Sequence, residues 1–422
     1  MDRRYPVVVT LNGQQRTYSP AFQTSPEFSA GWQSVLRMAY GRAELQCGCS
    51  TGEGRRLAVK FYAASDSYDL ARFSLSGQEH DTECQYYATG SSAGGLSAYA
   101  RGVIDPQADG SVKIRLAIAL AARSRVKIDG APPVDRVGAR PGTRQSAMTL
   151  LGLLHYLWSE AQLNAWHPAW AGKRSDASIP GRLMRVAESI QVGKATLAGV
   201  LLVPARKAHW DEAKDNARRV EHALTNRMRM IAVAPLASYS AERETIMSER
   251  LVLSSFFGMP MIFLEEKLWD AVKRTYPLAV RAWCNGQRVI ALAQVELRAG
   301  KKGVVAQAID VALMIVTADW IPVESGYELL VAEQLVEQGR SFYKPLRFDA
   351  GGDVVHPDFM LMDQKRPMPM EVFGRSDPEY VERMAKKIAH FNGAYGHDGW
   401  WRWRVEGRGA VESMPPFPDL QT

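Results

Sequence analysis

Two carboxylates near the end of the chain have the setting of a hard-cation site. Asp358 lies in His356-Pro357-Asp358-Phe359-Met360-Leu361, and Glu371 in Pro369-Met370-Glu371-Val372-Phe373-Gly374. Both border apolar runs of strand length, and the polar Asp363-Gln364-Lys365-Arg366-Pro367 between them reads as a turn. A β-hairpin over this stretch brings both acids to one end of a sheet. Facing carboxylates hold a hard divalent cation such as Mg²⁺ or Mn²⁺, and a water bound to it is a competent nucleophile for phosphodiester hydrolysis. The bland alternative is a solvated acid beside a strand end.

A second cluster is softer. Three of the four cysteines fall in Cys47-Gly48-Cys49 and in His80-Asp81-Thr82-Glu83-Cys84. Clustered thiols in a chain expected to be cytosolic point to metal before disulfide. Three thiolates and one imidazole make a closed structural Zn²⁺ site, with Gly48 letting both arms of the tight Cys-x-Cys pair turn inward and His80 and Cys84 one helical turn apart. Free buried cysteines are the alternative. Cys284 stands alone in Ala282-Trp283-Cys284-Asn285 and reads as a thiol without a role.

The elements around the two acids follow from periodicity and caps. Residues 325–338 carry Leu329, Leu330, Ala332, Leu335 and Val336 on a helical stripe with Glu328 near its start, and residues 342–348 read as a strand. Beyond the hairpin, Asp377 caps a helix to about Asn392 with Pro378 at its first position, and residues 400–405 form another strand. The order is helix, three strands, helix, strand.

This order, with these acids, resembles the core of the PD-(D/E)xK nuclease superfamily. The resemblance implies that Asp358 is the motif aspartate, Glu371 its second acid and Glu328 the acid that some members carry on the first helix. It departs at Phe373, where the motif has lysine. Tyr380, Arg383 and Lys387 share one face of the following helix, which makes Lys387 the first candidate substitute, ahead of Lys344 and Lys386. Tyr380 and Arg383 would orient the scissile phosphate.

Nearly the whole chain also resembles a family of bacterial proteins found with integrative conjugative elements and plasmids. The shared features are Cys47-Gly48-Cys49, the Ser76-Gly77-Gln78-Glu79-His80 to Cys84 segment, Lys344-Pro345-Leu346-Arg347-Phe348, and Met370-Glu371-Val372-Phe373-Gly374. That resemblance implies mobile DNA as the setting, with DNA and other proteins of a conjugative complex as partners.

Bulk composition sets the remaining bounds. With 422 residues, 46% hydrophobic and 23% charged, the chain is long enough for two or three cores. Its longest apolar run, residues 311–317, is too short to span a bilayer, and no signal segment is evident. A cytoplasmic location without membrane contact is expected. Lys and Arg number 52 against 45 for Asp and Glu, and this surplus lies before Glu324, so a basic body would bring DNA to an acidic site by displacing counterions. Walker, Gly-x-Gly-x-x-Gly, His-Glu-x-x-His and Gly-x-Ser-x-Gly motifs are absent, which disfavours nucleotide-driven motors and the common hydrolase folds.

The expected architecture is α+β and multidomain. Residues 1–130 form a β-rich zinc-knuckle module, and residues 131–144 a Pro-, Gly- and Arg-rich linker. Residues 145–205 form a winged-helix-like segment, with helices near 146–161 and 179–190 and a wing from 195–203. There Arg174, Arg182 and Arg185 would face phosphates; a plain helical packing unit reads the same way. Residues 206–323 are mixed α/β, and residues 324–422 are the PD-(D/E)xK-like αβββαβ core. The expected function is a Mg²⁺-dependent deoxyribonuclease, with a catalytically inactive nucleic-acid-binding or scaffold subunit as the alternative.

Overall fold

The computed structural model describes residues 3–50, 55–62, 66–73, 76–81, 83–87, 95–107, 109–121, 145–301, 303–348, 355–374, 377–405 and 413–421. The expected linker at 131–144 lies outside the described residues. The chain is mixed α+β with four sheets among the described residues.

Strands β1 (Val7–Leu11) and β2 (Gln14–Tyr18) form a hairpin through Asn12 and Gly13, both at positive φ, as a two-residue hairpin turn requires. After α1 (Pro20–Thr24) and α2 (Ser29–Ala39), the strands β3 (Glu44–Cys47), β4 (Arg56–Tyr62) and β5 (Ser67–Arg72) complete an antiparallel sheet in the order β2-β1-β3-β4-β5. Trp32, Val35, Leu36 and Ala39 recur at helical spacing on α2 and bury against Leu45, Leu57 and Val59.

The chain continues through β6 (Ile104–Pro106), β7 (Val112–Ile114), α3 (Leu150–Glu160), β8 (Ala165–Trp166), α4 (Ser178–Glu188), β9 (Ile190–Val192), β10 (Ala195–Thr196), α5 (Leu197–Val200) and β11 (Leu201–Leu202). The next stretch holds α6 (Asp211–Thr225), β12 (Met230–Pro235), α7 (Ala241–Ile246), β13 (Met261–Phe263), α8 (Glu266–Thr275), α9 (Pro277–Cys284), β14 (Val289–Gly300), β15 (Gly303–Val316) and β16 (Pro322–Val323). Here the central sheet runs β11-β12-β14-β15-β13, with β16 on β15. It is apolar on both faces because both are covered. Ile231, Val233, Ile290, Leu292 and Met314 pack toward Leu153, Leu154 and Leu157 of α3. Ala232, Ala234, Ala291 and Leu313 pack toward Trp269, Val272 and Trp283 of α8 and α9.

Last come α10 (Gly326–Glu337), β17 (Phe342–Tyr343), β18 (Phe359–Leu361), β19 (Met368–Phe373), α11 (Pro378–Tyr395) and β20 (Trp401–Arg404). Strands β17, β18 and β19 are antiparallel neighbours and β20 runs parallel to β19. The sheet order is β20-β19-β18-β17-β8, so a strand from far upstream forms one edge. Strand β17 ends sooner than the expected 342–348 run, because Pro345 has no N–H for a ladder and Phe348 sits at φ 53°.

Residues 145–205 are not a separate unit. They give β8 to the C-terminal sheet, β9 and β10 to a sheet ordered β10-β9-β7-β6, and β11 to the central sheet. The expected 195–203 wing is correspondingly a two-residue hairpin strand, a helical turn and a strand of another sheet. No helix among the described residues is long and apolar enough to cross a membrane.

Candidate functional site

Asp358 and Glu371 come together through strand register. Phe359 faces Met370 across β18 and β19, and the Asp358 N–H donates to the Met370 carbonyl at 3.0 Å. Asp358 stands immediately before β18, one position from the Phe359–Met370 pair, and so reaches the Glu371 segment of β19. Both are buried, at 5% and 2% exposure. Asp358 Oδ2 accepts from the Val372 N–H at 2.9 Å. Glu371 Oε1 pairs with Lys387 Nζ, while its Oε2 is buried with no hydrogen-bond partner among the described residues. Burial, together with the neighbouring Asp358 charge, pushes the Glu371 carboxyl up to about 8. An unpartnered buried oxygen beside a second acid fits a divalent cation, which would remove both penalties at once.

Two lysines reach this cluster. Capped by Asp377, whose side chain accepts from the Tyr380 N–H, α11 lays Lys387 over Glu371, with Nζ also 3.4 Å from the His356 carbonyl. Phe373 follows Glu371 by two residues and so shares its face of β19, where it packs with Phe391 of α11 and with Trp400. Phe391 is one turn beyond Lys387. The phenyl ring therefore anchors the helix that delivers the ammonium. Tyr380 donates its hydroxyl to the Val372 carbonyl at 3.3 Å, and Arg383 is exposed on the same helical face. Lys386 points away, exposed and paired with Glu382 at 2.8 Å, so it is not a candidate.

Lys344, ranked behind Lys387 from the sequence, is 1% exposed and sits at the other side of the acids. Its ammonium lies 2.8 Å from Glu328 Oε2 and 3.9 Å from both Asp358 Oδ1 and Glu324 Oε1. These three carboxylates outweigh the cost of burial and hold it well above the usual lysine range. Glu328 Oε2 also accepts from the Glu324 N–H at 2.8 Å, while the Ser325 hydroxyl caps the Glu328 N–H at 3.1 Å. Glu328 thus acts as part of a capping arrangement close to the Ser-x-x-Glu box, and its Oε2 is committed to Lys344. Burial, only partly offset by Lys344, raises its carboxyl to about 7. Sequence reasoning passed over Glu324 and did not foresee the burial of Lys344. The available signal was Pro345, which ends the strand just where the lysine turns inward.

In the N-terminal module, Cys47, Cys49, His80 and Cys84 are all buried and offer ligand atoms within 4.8 Å of one another. This cluster could hold a metal ion. Cys47 Sγ is 3.7 Å from Cys84 Sγ, and His80 Nδ1 is 3.5 Å from Cys49 Sγ and 3.7 Å from Cys84 Sγ. The Asp81 and Tyr86 N–H groups donate to Cys49 and Cys84 at 3.3 and 3.4 Å, which favours the thiolate forms. The bond to Cys47 and burial push the Cys84 thiol the other way, up to about 12, so ligation would have to displace protons. The Gly48 N–H donates to the Pro6 carbonyl at 2.8 Å, and a Cβ on Gly48 would stand 3.0 Å from that oxygen. A 3₁₀ turn at Gly77–Glu79 leads into His80, and the Cys84 N–H donates to the Asp81 carbonyl at 2.9 Å; residue 82, within the expected helical turn, lies outside the described residues.

Of the three arginines expected to face phosphates, Arg174 is turned inward. Arg174 is 7% exposed and donates to the carbonyls of Leu163 (3.2 Å), Asp319 (3.1 Å), Gln162 (2.9 Å) and Ala165. It is a structural clamp that gathers four backbone carbonyls. Arg182 is half-buried. The outward stripe of α4, Gly181, Met184, Arg185 and Glu188, lines a cleft of about 620 Å³ whose far wall is the N-terminal module, including Arg4, Trp32 and Asp69. A recognition helix must protrude into a major groove about 12 Å wide, and α4 faces a neighbouring wall instead.

A family model described as a protein of unknown function (DUF1173) matches residues 20–406. No curated protein and no solved structure matches the chain.

Proposed function

The chain belongs to the DUF1173 family, and because that family's description carries no activity, we propose from the site itself that the protein is a divalent-metal-dependent nuclease acting on DNA. The observation that carries this reading is the buried Asp358/Glu371 pair with Lys387 bonded to one Glu371 oxygen and the other oxygen unpartnered. The helix, three-strand, helix, strand order around it supports a PD-(D/E)xK-like core.

Asp358 and Glu371 would hold Mg²⁺ or Mn²⁺, and the cation supplies charge neutralisation and water activation when bound. Lys387 would stabilise the charge that develops on the attacked phosphate, the role of a preorganised cation in a water-poor site. Lys344, fixed by Glu328 and Glu324, would hold the Asp358 carboxylate in place. Tyr380 and Arg383 would steady the phosphate from the α11 face. The basic remainder of the chain would supply sequence-independent attraction to DNA, and the conjugative-element resemblance suggests mobile DNA and its protein complexes as the setting.

The Cys47, Cys49, His80 and Cys84 cluster would take structural Zn²⁺. Tetrahedral Zn–S bonds of about 2.3 Å put sulfurs roughly 3.8 Å apart, close to the 3.7 Å between Cys47 and Cys84.

A second reading, an inactive nucleic-acid-binding subunit, is favoured by the two lysines that already balance the acids. Incubation of purified protein with supercoiled, linear and single-stranded DNA in Mg²⁺ or Mn²⁺ separates the two. Cleavage that disappears in Asp358→Ala supports the nuclease; no cleavage of any form with either cation leaves the inactive subunit.

A further inference from the structure

The sheet face that bears Glu371 is buried on one side of that residue and exposed on the other. Strand register sets Tyr343 opposite Met360 and Met360 opposite Pro369, which precedes Glu371 by two residues, so these three share its face. All three are buried. On the other side, across the parallel β19 and β20, Glu371 is in register with Arg402 and Phe373 with Arg404. Register partners on adjacent strands point the same way, so both arginines leave the Glu371 face from a strand roughly 4.8 Å away. Both are exposed, and β20 is the edge of its sheet among the described residues.

Packing holds this edge in a fixed relation to the acids. The Arg402 guanidinium lies over the Trp400 ring at 5.1 Å. Trp400 is buried, its indole N–H donates to Asn392 Oδ1 of α11 at 2.9 Å, and its ring packs against Phe373 and Phe391. The same helix brings Lys387 to Glu371, so one aromatic cluster positions both the ammonium and the guanidinium. Stacking occupies the flat face of a guanidinium and leaves its in-plane N–H donors for an oxygen ligand. Among the described residues, neither Arg402 nor Arg404 has a carboxylate within ion-pair distance.

We infer that Arg402 and Arg404 form a phosphate-binding row, and that the DNA strand meeting the Asp358/Glu371 pair leaves it across β19 and β20 with its neighbouring phosphates on these two guanidinium groups. Side chains two apart on a strand stand roughly 6.6 Å from each other, so each arginine can take its own phosphate through paired N–H donors. Such contacts fix the path of the strand and read no bases. The inference rests on the nuclease reading only for the place of the scissile phosphate.

Binding is measured on the full-length, zinc-replete protein without added Mg²⁺ or Mn²⁺, as equilibrium affinity for a fluorescent duplex and for a single strand of equal length across a range of salt. Each lost phosphate contact makes the slope of log affinity against log salt shallower, by about 0.9 on duplex and about 0.7 on a single strand. Arg402→Ala and Arg404→Ala should each show one such step and the double variant two, whereas Arg402→Lys, which keeps the charge, should keep the wild-type slope. An arginine that only braced Trp400 would lower the melting temperature of Arg402→Ala and leave the slope alone. If Arg402→Ala does not fold, Arg404→Ala carries the test. Arg298→Ala, at an exposed arginine of β14, should leave the slope unchanged. A wild-type slope in both folded variants, or an equal step in Arg298→Ala, would overturn the inference. Shallower slopes in a protein that cleaves nothing remove the nuclease reading and leave the row; cleavage by wild type with unchanged slopes in the variants does the reverse.

Discussion

Lys344→Met tests the buried charge network most sharply. The ammonium is 1% exposed and lies 2.8 Å from Glu328 and 3.9 Å from Asp358. Removing it leaves two buried carboxylates without their shared counter-charge, a change that costs about 3–5 kcal/mol. In Lys344→Met/Glu328→Gln one of those charges goes as well, and the expected loss drops to roughly 1–2 kcal/mol, a coupling measurable by a double-mutant cycle. Thermal unfolding should show the single variant falling by roughly 5–10 °C, with the double variant recovering much of that. Because a chain this long need not unfold in one step, hydrogen exchange over residues 326–345 should place the loss on α10 and β17. Millimolar Mn²⁺ should stabilise Lys344→Met more than wild type, since a cation at Asp358 replaces part of the missing charge. A single variant that melts with wild type, or a double variant no better than the single one, would refute this account of Lys344.

The other predictions concern separate parts of the molecule. Burial and Asp358 hold the Glu371 proton up to about pH 8, against 4.5 for an ordinary glutamate; the folded state therefore binds more protons between these values, and cation-free stability should fall as pH rises through that window. Glu371→Gln should remove that slope and melt higher than wild type at pH 8–9 without divalent cations. Cys49→Ser or a strong chelator should release one zinc per chain, read by a colorimetric zinc assay, and raise hydrogen exchange over residues 44–50 and 77–87 before the rest. Arg174→Ala should cost several kcal/mol, on the order of 3, by removing the donor that four backbone carbonyls share, yet leave the slope of DNA affinity against salt unchanged. A slope shallower by about one would instead make Arg174 a phosphate contact.

The parts of the fold with strong local signals were legible in the sequence. Strand β15 covers the expected Gly303–Val316 run, α11 starts at Pro378 behind the Asp377 cap, and α10 starts behind Ser325. The four residues of the cysteine–histidine cluster were legible from their types and their clustering along the chain, and they converge as buried groups that could hold a metal ion. What the sequence hid was long-range. Nothing in the sequence near Trp166 specifies its pairing with the distant Phe342. Arg174 looked like a surface cation, and its four carbonyl acceptors come from Gln162, Leu163, Ala165 and the distant Asp319. Lys344 ranked only behind Lys387 as a candidate lysine, since its burial depends on Glu328, Glu324 and Asp358 converging on it from separate segments.

The central claim is that the Asp358/Glu371 pair, with Lys387, is a metal-dependent phosphodiesterase site. Single-turnover cleavage of DNA at saturating Mn²⁺ tests it most directly, with wild type compared against Asp358→Asn, Glu371→Gln and Lys387→Ala, each confirmed folded. The account predicts metal-dependent cleavage by wild type and none by either acid variant. It predicts that Lys387→Ala binds Mn²⁺ as well as wild type but cleaves about 10²–10³-fold more slowly, the usual effect of losing one transition-state donor. Wild type that binds DNA but cleaves no substrate, or acid variants that cleave at the wild-type rate, would contradict it.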